Sequence, residues 1–501
     1  MQNLKDTYQK TYEQTARVLH DTASETEQAL EGAGRALRET EQGMEEYWHI
    51  LGPGLTTGAS DDDPSGIATY SQTGAVYGFG LIWMSLFTFP LMSVVQEMCA
   101  RIGLVTGQGL AANIRRYYSK PVLYTCTVLL LLANIFNIGA NLGAMAEALR
   151  LLAPAIPFGL LVVFFGVTSL LLQIYTSYEE YAKYLKYLAL VLLAYVVSAL
   201  MVSMNWSEVL HSTFVPSFVW SKDLIIMMCA ILGTTISPYL FFWQTSQEVE
   251  EKILKKKSED SRADDEYNHT NLKFVLGTDH TQGSDALIAK MEVHSYSSLT
   301  RIHRDIPLTN KDIKNMRVDV WTGMFISNLV MFFIIASCAA TLHAAGLTGI
   351  QTAGDAAEAL RPFAGDFAFV LFALGIIGTG MLAIPVLAGS AAYAVSESFG
   401  WKFGLYRKLK EAYAFYGVIA LATVVGIALN FIGLDPIKAL IYSAVGNGLV
   451  APVILFLIVS MSSRSDIMGD KKNGVVSRAI GWVTVALMVV AALGTIWALV
   501  V

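Results

Sequence analysis

Ser60-Asp61-Asp62-Asp63-Pro64-Ser65-Gly66 puts three carboxylates, a proline and a glycine inside an apolar stretch that begins near Ile50 and ends near Gly80. In a soluble protein these residue types make an ordinary polar turn. Inside a membrane-spanning segment the same residues mean something else. Ionised groups at bilayer depth are costly and persist where they face a cavity, a partner or an ion path. Pro and Gly interrupt the helix at the same point and leave backbone carbonyls without intrahelical partners. An acid on a broken helix is what a cation site at the membrane midplane requires.

Composition shows that the surrounding stretch does span a membrane. Hydrophobic residues make up 54% of the 501 residues and charged residues 15%, against about 25% charged in a soluble domain. Apolar runs of spanning length, about 20 residues, recur eleven times. They lie near 49–77 (interrupted), 80–104, 121–146, 153–176, 182–204, 223–248 (interrupted), 318–344, 364–396, 412–432, 437–461 and 476–500. Lys and Arg crowd the loops that share a side with residue 1, including Arg101, Arg115, Arg116, Lys120, Lys183, Lys186, Lys402, Arg407 and Arg478. The opposite side holds Arg150, Lys222, Arg361 and Lys438. The positive-inside rule therefore predicts an all-α polytopic protein of the plasma (inner) membrane, N-terminus cytoplasmic and C-terminus outside.

Residues 1–48 are polar, lack the basic start and apolar centre of a signal peptide, and read as a cytoplasmic helical extension. The segment 251–316 is a hydrophilic cytoplasmic insertion. Its four histidines (His269, His280, His294, His303) show no ligand spacing, which favours a solvated linker over a metal-sensing loop. Cys99, Cys126, Cys229 and Cys338 all fall in apolar segments and read as small core residues.

A second interruption lies in the sixth span, Gly233-Thr234-Thr235-Ile236-Ser237-Pro238-Tyr239. Proline kinks are common in membrane helices, but position separates this one from a merely structural kink. The first and sixth spans each open a set of five helices. An odd number of spans per set makes the second set enter from the opposite side, which is an inverted repeat. Broken segments at corresponding places of two such halves point to a substrate site at their interface. The expected organisation is a first five-helix repeat over 49–205, a second over 206–462 carrying the 251–316 insertion, and a loop with the eleventh helix over 463–501.

These motifs resemble the NRAMP family of divalent metal transporters, and most closely its magnesium-transporting branch. The resemblance runs from about Gly52 to Leu457. Gly52-Pro53-Gly54-Leu55 matches the family's GPG entry. Asp63-Pro64-Ser65-Gly66 stands where the family has Asp-Pro-Gly-Asn, and Ser237-Pro238-Tyr239 where it has Met-Pro-His. Gln96, Ala100-Arg101 and Gly103-Leu104-Val105-Thr106-Gly107 match the end of its second helix. The resemblance implies a LeuT-type fold with eleven transmembrane helices and a metal ion held between the unwound parts of helices 1 and 6. The implied metal residues are Asp63, Gly66, Thr234 (through its backbone carbonyl), Ser237 and Tyr239, with Asn447 as the amide beside Ala444, where the family has a glutamine.

Gly66 deletes the family's amide oxygen and Ser237 deletes its thioether. An all-oxygen site suits Mg²⁺, Ca²⁺ and Mn²⁺ better than softer metals, and two smaller residues predict a roomier cavity for a partly hydrated ion. Mg²⁺ keeps several waters and is held through one or two carboxylates. The third span reads Asn134-Ile135-Phe136-Asn137-Ile138-Gly139-Ala140-Asn141, with amides where proton-coupled relatives carry acids. Tyr239 replaces their histidine, and the ninth span holds no Lys, Arg or His. These losses predict transport without proton coupling, with Glu97 and Glu147 as remaining relay candidates or, more simply, solvated helix-end acids.

Of the three adjacent acids, Asp63 is expected to be the single essential ligand and Asp61 and Asp62 groups of the vestibule or behind the ligand. Asp355, Glu358 and Asp366 are expected on the external side, in a solvated loop or an entrance that attracts cations. The leading expectation is Mg²⁺ uptake by alternating access, with Mn²⁺ also permeant. The alternatives are a proton-coupled Mn²⁺/Fe²⁺ importer, a sodium-coupled amino acid transporter and a membrane metal sensor. No nucleophile–base constellation or phosphate-binding glycine loop supports an enzyme. The expected partners are a divalent cation as cargo and the lipid bilayer, with no resident cofactor and no nucleic acid.

Overall fold

The computed structural model describes residues 50–176, 204–275, 308–348, 353–358 and 368–500, with isolated positions between them and no side chains over 257–275. The expectations for residues 1–46, for most of the fifth span at 182–204 and for the stretch 276–307 of the insertion lie outside the described residues. Residues 1–52 and 53–501 form separate compact units, and the second contains everything that follows.

The first span is two helices, α1 (Pro53–Asp61) and α2 (Pro64–Tyr77). The cause is local. Asp63 is the N-cap of α2 in extended conformation and Pro64 occupies its first position, where a missing N–H costs nothing and a fixed φ helps. Next come α3 (Trp83–Thr106), α4 (Leu110–Tyr117), α5 (Lys120–Leu152), α6 (Phe158–Tyr175) and α7 (Trp206–Phe214). The sixth span is again two helices, α8 (Lys222–Thr235) and α9 (Pro238–Val275). Ser221 caps α8 through the Leu224 N–H, and Pro238 restarts the chain after Ile236 and Ser237. Both interruptions expected from sequence are present, each closed by a proline.

The chain continues through α10 (Asn310–Cys338), α11 (Ala353–Glu358), α12 (Ala368–Phe399), α13 (Tyr413–Leu429), α14 (Pro436–Ser463), α15 (Ser465–Met468) and α16 (Val475–Val500). A capping box between Thr309 and Asp312 starts α10. Among the described residues seven helices are long and apolar enough to cross a membrane, the two pieces of the sixth span counting as one. The two halves of the first span are each too short to do so, and α13 is a shorter apolar helix. One expectation needs correction. The 251–316 insertion is not a linker throughout, because α9 runs on to Val275 and α10 begins at Asn310. Glu, Lys and Ala are good helix formers and propagate a helix that the membrane has already nucleated.

The packing is reciprocal. Both halves of the first span lie along α10, the seventh span, while α9 of the sixth span lies along α3, the second, and α5 pairs with α12 at the centre. Exchanging spans one and six exchanges their partners seven and two, as an inverted repeat dictates. Glycines permit the closest approaches. A methyl group on Gly58 would overlap the Gly323 backbone of α10, and one on Gly54 would meet Val320 at 2.5 Å. Gly233 and Gly448 bring α8 and α14 together in the same way. The Asp319 carboxylate of α10 accepts from the N–H groups of Gly54 and Leu55 at 2.6 and 3.0 Å. It thereby satisfies the free donors at the start of α1.

Gly58→Ala is expected to destabilise the protein by about 1–3 kcal/mol, because backbone rather than a flexible side chain occupies the space. Thermal unfolding followed by size-exclusion chromatography measures this, and an unchanged midpoint would contradict the packing.

Candidate metal site

Asp63 lies where α1 ends and α2 begins, with 1% of its surface exposed. Its Oδ1 accepts the Ser65 hydroxyl at 2.5 Å and the Gly66 N–H at 2.9 Å. Its Oδ2 accepts the Asn141 amide of α5 at 3.0 Å. Every one of these donors is neutral. The carboxylate is therefore solvated by neutral groups of the protein, and among the described residues no basic side chain pairs with it. The cap that starts α2 and the expected cation ligand are the same side chain.

The second break faces the first. The Tyr239 hydroxyl donates to the Ser60 carbonyl at 2.8 Å, which ties α9 to the last turn of α1. Gly66 sits against Thr234, so that a methyl group added there would lie 3.2 Å from the Thr234 Oγ1 and 3.2 Å from the Asp61 carbonyl. The structure thus brings Asp63, Gly66 and Thr234 into one place. The Ser237 hydroxyl donates back to the carbonyls of Gly233 and Thr234 at 2.8 and 2.7 Å, so it is held against the very carbonyl expected to bind metal. Asn447, on α14 next to the Gly448 that packs on Gly233, is buried with both amide atoms unpartnered.

One expectation changes. The space expected from the glycine at position 66 is taken up by Tyr70 and Thr234. Of the two places expected for Asp61 and Asp62, burial favours the one behind the ligand over the vestibule, since neither is exposed and both face the Ser327 hydroxyl of α10.

Glu97 is buried rather than solvated. It accepts from Arg317 at 2.9 Å and from the Trp321 indole at 2.9 Å, with Arg101 3.9 Å away. Glu147 pairs with Arg150 at 3.0 Å as a half-exposed helix-end acid. Asp355 is half-buried, and the side chains of Glu358 and Asp366 lie outside the described residues. All four cysteines are buried and free. Among the described residues no three His, Cys, Asp or Glu side chains converge on a metal position, so a cation at Asp63 depends on backbone, hydroxyl and amide oxygens and on its own water.

Sequence reasoning missed Asn141 as a partner of Asp63, and Ser65 and Ser327 as donors to the acids. A signal for the first was present. Asn134, Asn137 and Asn141 recur at helical spacing on one face of an apolar span, where amides need partners. Asn134 donates to the Leu387 carbonyl and the Ser390 hydroxyl of α12, and Asn137 accepts from Ser443 of α14.

Helices broken at the first and sixth spans around a sealed carboxylate are the architecture of a membrane transporter that works by alternating access. A family model described as natural resistance-associated macrophage protein-like (Nramp) matches residues 54–280 and 283–498, and the chain belongs to this family. Membership makes it a divalent metal cation transporter and not an enzyme. The chain is 24% identical over 453 residues to the divalent metal cation transporter MntH of Klebsiella pneumoniae, covering 88% of this chain and 92% of that protein. Its fold is similar to that of the manganese transporter of Eremococcus coleocola, with a TM-score of 0.65 at 18% identity over 90% of this chain and 86% of the other. It is also similar to the nucleobase-cation-symport-1 family transporter Mhp1 in a closed conformation, with a TM-score of 0.52 at 14% identity over 90% of each chain. The expected LeuT-type fold class is borne out by both.

Asn141→Leu is expected to leave the fold intact and to weaken Mn²⁺ binding about tenfold, in line with the loss of one hydrogen bond to a charged group. Isothermal titration of the purified protein measures the change.

Proposed function

We propose that this transporter carries Mg²⁺ into the cell by alternating access, without proton coupling, with Mn²⁺ as a second permeant ion. The observation that carries the reading is the neutral cradle of Asp63, built from one hydroxyl, one backbone N–H and one amide. Neither break supplies sulfur or imidazole: Ser237 and Tyr239 stand in the sixth span and Gly66 in the first. Such oxygen donors suit hard cations and do not exclude Mn²⁺. The third span carries buried amides at Asn134, Asn137 and Asn141, and its acid, Glu147, pairs with Arg150 at the helix end. Two positive charges moving inward across 100 mV gain roughly 4.6 kcal/mol, enough to drive uptake without protons. The proposed metal residues are Asp63, Gly66, the Thr234 carbonyl, Ser237, Tyr239 and Asn447, the last contributing its unpartnered amide. The proposed orientation has the N-terminus in the cytoplasm and the C-terminus outside, in the plasma (inner) membrane.

Asp63→Ala is expected to abolish Mg²⁺ flux into proteoliposomes, and undiminished flux would overturn the reading. Mn²⁺ should compete with Mg²⁺ in the same assay. A pH dye in the vesicle lumen separates this proposal from a proton-coupled Mn²⁺/Fe²⁺ importer, the reading favoured by the named activity of the manganese-transporting relative. Mg²⁺ uptake should leave the luminal pH unchanged, whereas acidification that follows metal entry establishes symport.

A further inference from the structure

Asp61 and Asp62 precede the ligand acid and are left without adequate partners by the fold. Neither is exposed. The Ser327 hydroxyl of α10 lies 2.7 Å from Asp61 Oδ2 and 3.3 Å from Asp62 Oδ1, and its single proton serves one of them at a time. Asp61 Oδ1 and Asp62 Oδ2 are buried with no partner at all. No Lys, Arg or His forms an ion pair with either acid among the described residues. The charges that bear on the pair are acidic: Asp63 on both, and Asp61 on Asp62.

Two further features of the same place favour a cation. Asp61 is the last residue of α1, so the free carbonyls and negative dipole end of that helix face the pair. The Tyr70 hydroxyl is fully buried beside the same three acids and short of a well-formed hydrogen bond, with Thr234 as its polar neighbour. Unpaired buried charge is among the most costly arrangements a protein can hold. Here several oxygen atoms from two carboxylates and two hydroxyls sit together with nothing positive among them.

We propose that Asp61 and Asp62, with the Ser327 hydroxyl, form a second divalent-cation subsite next to Asp63, of the hard-oxygen type that takes Mg²⁺ or Mn²⁺. The cation there supplies the charge that the fold omits, and two adjacent carboxylates with one hydroxyl are a hard-donor set for it. The subsite rests on the reading of the chain as a divalent-cation transporter and adds a second station on its path. The ion leaving Asp63 meets carboxylates on the α1 side of the break instead of apolar helix.

The test is titration of the purified protein with Mn²⁺ as the only added metal. Asp63→Asn keeps the shape of the side chain and removes its charge. With the subsite present, the Asp63→Asn protein still binds Mn²⁺, binding disappears when D61N and D62N are added, and Ser327→Ala in the Asp63→Asn background weakens it about tenfold or more. Loss of all Mn²⁺ binding in Asp63→Asn overturns the subsite. So does binding that survives the triple substitution. Size-exclusion profiles confirm that each variant is folded, and a variant that fails this check is replaced by Ser327→Ala on wild type, where an unchanged isotherm overturns the subsite. Failure of the underlying reading looks different, because wild type then binds no Mn²⁺ and moves none.

Discussion

Everything in this structure follows from placing a carboxylate at membrane depth and solvating it with protein. Water cannot do it there, and a basic partner would neutralise the charge that makes the site useful. The chain uses the free donors of a helix start instead. Asp63 receives the Gly66 N–H because α2 begins at Pro64, and it receives Ser65 because that residue lies in the same first turn. Interrupting the span thus creates both the acid proposed as cation ligand and the groups that stabilise it. The third donor, Asn141, comes from α5, which fixes the distance between the broken segment and the central pair of helices.

Burial of polar groups then propagates outward as a chain of obligations. The Ser60 carbonyl, freed by the break, is taken up by Tyr239. The carbonyls of Gly233 and Thr234, freed by the second break, are taken up by Ser237. The donors at the start of α1 go to Asp319. Freed backbone groups are drawn to hydroxyls and carboxylates in this way, as bilayer depth requires. The carboxylates of Asp61 and Asp62 are where this accounting stops closing, and that is why they stand out from the other buried acids. Glu97 shows the contrast, with an arginine and an indole both directed at its oxygens.

The architecture was legible because its causes are local. A proline after two non-helical residues, in each of two apolar spans, is visible in the sequence, and so is the odd number of spans in each set of five. Asp63 was legible for the same reason. What could not be read was which side chain on another helix meets it. Asn141 and Asn137 differ by one turn, and only the rotation of α5 decides that the first donates to Asp63 and the second accepts from Ser443. Ser327 is one of several small polar residues in the seventh span, and nothing local distinguishes it. The expected widening at Gly66 failed for a related reason. A deleted side chain leaves space only if its neighbours do not move in, and Tyr70 and Thr234 have done so.

Alternating access requires that some of these obligations be exchangeable. The bonds that hold α1 include two from Asp319 at its start, one from Tyr239 and one from Ser327 at its end, and the Thr57–Gln244 pair along its side. A typical bond of this kind is worth about 1 kcal/mol net, and one to a charged group about 1.5–3. Between these anchors α1 meets the backbone of α10 closely at Gly54, Gly58 and Gly323. A glycine face permits close contact without a keyed fit, so α1 can move as a short rigid rod once its terminal bonds are replaced by water. The helix break at Asp62 and Asp63 joins α1 to the proposed metal residue, so a movement of α1 would displace Asp61 relative to Asp63.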